Sequence, residues 1–184
     1  PYLFFMRLPG ITLMGSSPEV MVGCQQGKLR LNPIAGTRPR GCSEGEDNLF
    51  EGELMNDTKE QAEHVMLVDL GRNDLGKVAV PGSVTLERYM EVERFSHVMH
   101  LTSYTTGELA KDKDALDILS AAFPTGTVSG APKIRAKELI ARGERQPRRT
   151  YSAAQRWLGL GRKADKPSTR IAIRNLETQK PQDH

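Results

Sequence analysis

At 184 residues, with a net charge of +3, 38% hydrophobic and 27% charged residues, the chain has the make-up of one globular domain able to bury a substantial core. No apolar run approaches the roughly 20 residues that a membrane-spanning helix needs, and the PYLFFMRL opening carries no basic leader; a cytoplasmic protein without a membrane partner is expected. The basic excess sits at Arg142, Arg145, Arg148, Arg149, Arg156, Arg162, Lys163 and Lys166, with only Tyr151 and Trp157 among them, so it reads as a solvated surface and no nucleic-acid partner is expected.

Residues 2–7 are aromatic and apolar and predict a strand. Residues 20–24 and 28–31 predict a hairpin closed by Gln25-Gln26-Gly27. Asn32-Pro33 ends that ribbon, and Gly36 and Gly41 bracket a predicted loop holding Thr37, Arg38 and Arg40. Helices are predicted over 44–55 and 57–74. Pro81-Gly82 turns into two long strands, near 83–92 and 95–107. The second puts Val98, His100, Thr102 and Tyr104 on one face, with Met99 and Leu101 on the other. Residues 114–123 predict a short amphipathic helix, 124–132 a loop, and Lys133 begins another helix. Beyond Gly143 the pattern weakens into a proline-broken segment and a hairpin over 157–174. Long strands mixed with helices, without a regular βαβ rhythm, predict an α+β fold. Cys24 and Cys42 lack metal-ligand spacing and read as packing residues in a reducing compartment.

The second helix carries the strongest chemical signal. Glu60, Glu63 and His64 fall at i, i+3 and i+4, and Leu67 continues the stripe one turn later. Carboxylates buried among Val65, Met66, Leu67 and Val68 would cost several kcal/mol without a partner, and a hard divalent cation is one natural compensator. The same residues allow a structural alternative, because Asp57 followed by Glu60 has the form of a capping box. Further on, PTGTVSGAPK, residues 124–133, sets Gly126, Gly130 and the hydroxyls of Thr125, Thr127 and Ser129 ahead of a helix. Exposed amides there suit a carboxylate or phosphate, although the order of a nucleotide-binding loop is absent. Gly36-Thr37 offers another close backbone approach, Glu19 follows Pro18 beside a strand, and His100 stands mid-strand. Taken singly, each of these is as compatible with an ordinary turn, a solvated acid or a core histidine.

Five blocks in order, PYLFFMRL, GSSPE, PIAGTRPRG, KEQAEHVMLVDLGRNDLG with ERFSHVMHLTS, and PTGTVSGAPK, resemble the chorismate-binding domain of the anthranilate synthase component I family. A weaker sixth match covers residues 151–174. The likeness is strongest over 15–137, and residues 142–184 depart further from the family pattern. What it implies is a partial chorismate-binding domain over 1–184. The expected fold is α+β, layered α/β/β/α with long antiparallel strands, and incomplete because the family's upstream and downstream segments lie outside this sequence.

The implied chemistry is conversion of chorismate and ammonia, drawn from glutamine by an amidotransferase subunit, to anthranilate and pyruvate. The resemblance implies Glu63 as a magnesium ligand with Glu60 supporting it, and Gly36, Thr37, Thr127, Gly130, Tyr151 and Arg174 as chorismate contacts. Glu19 matches the acid that protonates the departing hydroxyl, and His100 a catalytic histidine of the elimination step. Pro1, Tyr2 and Leu3 match a segment that binds the inhibitor tryptophan. Residues 151–174 are about three residues longer than the family's spacing, so Arg170 competes with Arg174. Ala35 favours the anthranilate branch, because aminodeoxychorismate-forming relatives commonly carry lysine there. Isochorismate and salicylate synthases remain alternatives, as does a non-catalytic remnant that binds a ligand or the glutaminase.

Overall fold

The structure is a computed structural model and describes residues 2–17, 19–146, 148, 154–159, 168–173 and 176–179, with Tyr2 and the last three segments described by backbone alone. Strands β1 (Tyr2–Leu8) and β2 (Ile11–Ser17) form an antiparallel hairpin turned at Gly10, whose φ of 78° suits a residue without a side chain. Strands β3 (Val20–Gln25) and β4 (Lys28–Leu31) follow. They are joined in the expected hairpin, but the turn has two residues, Gln26 (φ 51°) and Gly27 (φ 78°), both left-handed, and Gln25 belongs to β3.

The segment expected as a loop after Pro33 is instead strand β5 (Ile34–Pro39). Its glycine and prolines are turn signals in isolation, yet the strand pairs with a neighbour around a register shift between Ala35 and Thr37. Helices α1 (Glu44–Asn56) and α2 (Thr58–Gly76) come next, then β6 (Thr85–Arg94) and β7 (Val98–Glu108). Helix α3 (Ala115–Ala122) precedes the glycine-rich segment, which contains a single turn of helix, α4 (Gly126–Ser129), where only a loop was expected. Helix α5 (Lys133–Gly143) follows. Strands β8 (Ala154–Gly159) and β9 (Ser168–Ile173) make the expected hairpin, and β10 (Leu176–Gln179) pairs with β2.

Two antiparallel sheets result, β1-β2-β10 and a larger one built around β7. Strand β6 runs along one edge of β7, while β5 pairs with residues 98–102 and β4 with residues 105–108 on the other. Helices α1 and α2 pack on β5 and β7, which bears out the α+β expectation. One core gathers Met21, Val22, Leu29, Leu75, Val78 and Ile118; another gathers Leu54, Met99 and Leu101. Cys24 is buried in the first of these, but Cys42 is exposed, so only one of the two thiols packs as expected.

His64 is wholly buried beneath α2. Its Nε2 lies 2.6 Å from the Ser103 hydroxyl, which also accepts the Met90 amide at 2.9 Å. Met90 adopts a left-handed φ of 55° at an irregularity of β6, a strained conformation for a side-chain-bearing residue, and Ser103 supplies the partner its amide would otherwise take from the ladder. One hydroxyl therefore joins α2, β6 and β7.

Burial holds the His64 pKa down at about 4, below the roughly 6.5 of an unfolded chain. As pH falls, the unfolded state takes up this proton first. The stabilisation is therefore intact above about pH 6.5 and is lost as pH falls through about 4, with a slope of at most about 1.4 kcal/mol per pH unit. Denaturant titrations between pH 7 and 4 are expected to show this decline and His64→Gln to flatten it; an unchanged slope in the variant would place the titration elsewhere.

Candidate functional site

Helix α2 starts at Asp57, whose Oδ1 accepts the amides of Lys59 and Glu60, each at 3.1 Å. Arg38 of β5 donates to the other carboxylate oxygen at 3.0 Å, and these hydrogen bonds, the Glu60 amide first, lower the Asp57 pKa. The reciprocal half of a capping box is not formed, because the Asp57 amide bonds the Leu54 carbonyl at 3.4 Å. The Glu60 side chain is thus left for another purpose and lies against Gly36.

Gly36 has φ +69°, and a Cβ built there would stand 2.8 Å from Leu54 Cδ1 and 3.4 Å from Glu60 Oε2. Only glycine meets both demands. Directly across the ladder, Thr37 pairs with His100 of β7. His100 Nδ1 lies 3.0 Å from the Thr37 hydroxyl and 3.1 Å from the Gly36 carbonyl. A carbonyl only accepts, so Nδ1 carries the proton, and neutral His100 keeps its lone pair on Nε2. The Phe95 ring flanks the imidazole at 5.5 Å between centroids. Four of the sequence-predicted residues, Gly36, Thr37, Glu60 and His100, therefore converge at one end of α2.

Two turns further along, α2 presents Leu67, Leu70 and Gly71 to the glycine-rich segment. Gly126 seats against Leu67 and Leu70 with no room for a side chain, a Cβ there standing 3.1 Å from Leu67 Cδ2. Glu19, Leu67, Gly71, Asp74 and Thr127 line one cavity of about 30 Å³, so Glu19 and Thr127 are brought together from segments distant in sequence. Within the segment, Thr125 and Thr127 share a hydrogen bond of 2.9 Å, Ser129 donates to the Thr125 carbonyl at 2.7 Å, and the Gly130 amide donates to Gly126 at 2.9 Å. Gly130 itself holds φ +109°. A cavity of about 810 Å³ shares Leu70 and runs past Met66, Arg72, Val80 and Pro132, and it contains none of the predicted residues.

Glu63 overturns one expectation: it is exposed, as are Val65 and Met66, and Glu60 is half-buried. Desolvation therefore forces no cation upon Glu63. Its position is nonetheless between the two clusters, one turn from Glu60 at Gly36 and one turn from Leu67 at Gly126, about 5 Å along the axis in each direction. Among the described residues neither Glu60 nor Glu63 has an ion-pair partner, and no set of three or more His, Cys, Asp and Glu side chains gathers as a metal shell. Two unpaired carboxylates on one helix still suit magnesium, which commonly takes one or two carboxylates and completes its shell with water and substrate.

Tyr151, Arg174 and Pro1 lie outside the described residues, and so does the comparison of Arg170 with Arg174 at the side-chain level. Tyr2 is placed by its backbone in β1, and Leu3 is exposed there, paired with Ser16. Sequence reasoning missed Lys133 and Asp74. Lys133 Nζ bonds Asp74 Oδ2 and the Ala122 carbonyl, the latter at 3.2 Å, and both charged side chains are at least nine-tenths buried. Burial lowers the Lys133 pKa, with Asp74 opposing that shift. The available signal was an acid on the apolar stripe of α2 and a lysine just beyond Pro132.

The family model for chorismate binding enzymes matches residues 1–182. Anthranilate synthase component 1 of Mycolicibacterium smegmatis is 51% identical over 171 residues, 90% of this chain and 33% of that protein. The Synechocystis protein of the same name is 50% identical over 188 residues, 100% of this chain and 36% of that protein. The crystal structure of anthranilate synthase component I from Streptococcus pneumoniae superposes with a TM-score of 0.78 at 42% identity, covering 94% of this chain and 36% of that one. The menaquinone-specific isochorismate synthase of Escherichia coli shares the fold, with a TM-score of 0.79 at 24% identity, over 96% of this chain and 40% of that one. The chain spans about a third of the length of the curated relatives it matches.

The geometry at Gly36 predicts the tautomer of His100. Nitrogen-15 NMR at a pH where the ring is neutral is expected to find the proton on Nδ1 and an unprotonated Nε2. The opposite assignment would mean that the Gly36 carbonyl is not its acceptor.

Proposed function

The chain belongs to the chorismate-binding enzyme family, and we propose that it supplies the chorismate site of an anthranilate synthase component I. The reaction would combine chorismate with ammonia, delivered from glutamine by an amidotransferase partner, and release anthranilate and pyruvate in the tryptophan pathway. A cytoplasmic location is part of the same proposal; among the described residues no helix is long and apolar enough to cross a membrane. The observation that carries the reading is the convergence along α2: Glu60, Gly36, Thr37 and His100 at one end, Glu19 and Thr127 two turns on.

In this reading Gly36 and Thr37 admit the ring of chorismate close to the backbone. Thr127 and Gly130 approach from the far side, and Arg174 and Tyr151 pair with a substrate carboxylate. Glu19 donates a proton to the departing ring hydroxyl, since hydroxide is otherwise a poor leaving group. His100, held with Nδ1 toward the Gly36 carbonyl, presents the Nε2 lone pair as the base for the ring proton while pyruvate is eliminated and the ring becomes aromatic. Glu60 and Glu63 would hold magnesium, which when bound supplies Lewis-acid polarisation of a substrate carboxylate. Pro1, Tyr2 and Leu3 are assigned to the tryptophan-binding segment on the sequence likeness.

Calorimetric titration with chorismate and magnesium, followed by anthranilate fluorescence, tests the function in the protein as encoded in full. Heat with product is the expected result; heat without product would leave a binding domain only. Glu63→Gln is expected to lower magnesium-dependent turnover about 100-fold or more with an unchanged far-ultraviolet dichroism spectrum. Unaltered metal dependence would remove Glu63 from the site.

A further inference from the structure

We infer that Lys133 is the positioning residue that sets the glycine-rich segment, and Thr127 with it, against α2 beside Glu19, an inference that rests on the function proposed above. Its ammonium makes two kinds of contact at once. The bond to the Ala122 carbonyl ties together the two ends of residues 123–132, because Ala122 closes α3 and Lys133 opens α5. The bond to Asp74 fixes that closed loop to α2. Asp74 and Ala122 in turn line the same small cavity as Glu19 and Thr127, while Lys133 itself lines the neighbouring larger one.

The loop is rigid within itself. The Thr125–Thr127 bond, the Ser129 bond to Thr125 and the Gly130 bond to Gly126 fix its shape, and Arg148 adds a hydrogen bond to the Val128 carbonyl at 2.9 Å. Its internal bonds do not fix where it sits on α2. The Gly126 contact with Leu67 and Leu70 is apolar and without direction, whereas the Lys133 bonds have both. A pair buried this deeply adds little net stability over a well-packed apolar pair, and its contribution is one of geometry. Holding the segment in place before substrate arrives spares the ordering cost at binding.

Lys133→Met, in the protein as encoded in full, keeps the apolar stem and removes the ammonium. The variant is expected to fold, because Asp74 Oδ1 retains Lys77 at 2.9 Å and its carboxylate is not left unpaired. The KM for chorismate is expected to rise about tenfold or more while kcat stays within about threefold. Nuclear Overhauser contacts from Gly126 to the Leu67 and Leu70 methyl groups, which report where the segment sits on α2, are expected to be lost, while exchange of the Val128 and Gly130 amides, set by bonds inside the segment, stays within about threefold. Should that variant not fold, Lys133→Gln retains a donor for Ala122 and carries the same readouts. A KM within about twofold of the unaltered protein, retained Gly126 contacts with Leu67 and Leu70, or a uniform acceleration of amide exchange across the molecule would each overturn the inference. The Gly126 contacts need no substrate, so an absence of chorismate turnover in the unaltered protein would count against the proposed function and leave the clamp to be decided on its own.

Discussion

Helix α2 can approach strand β5 closely only where the intervening residue has no side chain, and Gly36 occupies that place. A methyl group there would meet Leu54 and crowd the Glu60 carboxylate, and the backbone conformation at φ +69° already disfavours any other residue. The approach is locked electrostatically by Arg38, which reaches from β5 to the capping carboxylate of Asp57. With the helix seated, the polar neighbours of Gly36 include the Glu60 carboxylate, beside its Cα, and the His100 imidazole, at its carbonyl. The remainder of the candidate site is built outward from that contact.

Three anchors then run down α2, each of a different physical kind. Asp57 is a cap reinforced by a cation, His64 is a neutral imidazole buried against a serine, and Asp74 is a buried carboxylate shared by two lysines. Their spacing fixes the helix in both rotation and translation relative to β7 and the glycine-rich segment. Glu63 sits between the anchors and belongs to none of them. It is exposed and takes no part in packing the helix.

The parts of the fold that were legible in the sequence are those governed by local periodicity. The i, i+3, i+4 spacing of Glu60, Glu63 and His64 indicated α2, and Gln25-Gln26-Gly27 indicated the β3–β4 turn. The alternation around His100 gave β7. Periodicity reports angular position without saying what lies opposite, and for that reason Glu63 was expected to be buried. Strand β5 was read as a loop because Gly36, Pro39 and Gly41 are local breakers; pairing along β7 overrides them through a register shift. Four residues of α4 are too few to show a helical pattern. The Lys133–Asp74 pair spans 59 positions, and no local pattern announces a contact at that separation. For Glu19 and Thr127 the family likeness, rather than spacing, suggested a common site, and the two residues line one small cavity.

Strand β7 has hydrogen-bonded neighbours on both edges, β6 on one and β4 with β5 on the other. Side chains alternate along a strand, so a slip of one residue would turn His100 to the opposite side of the sheet and exchange it for an apolar neighbour. Here the offset is pinned by β4, which pairs with residues 105–108 without a register shift, whereas the β5 and β6 ladders are both irregular. The facing of His100 and Thr37 is thereby supported from a second ladder, and the irregularity that admits Gly36 is tolerated because β4 keeps the offset of β7.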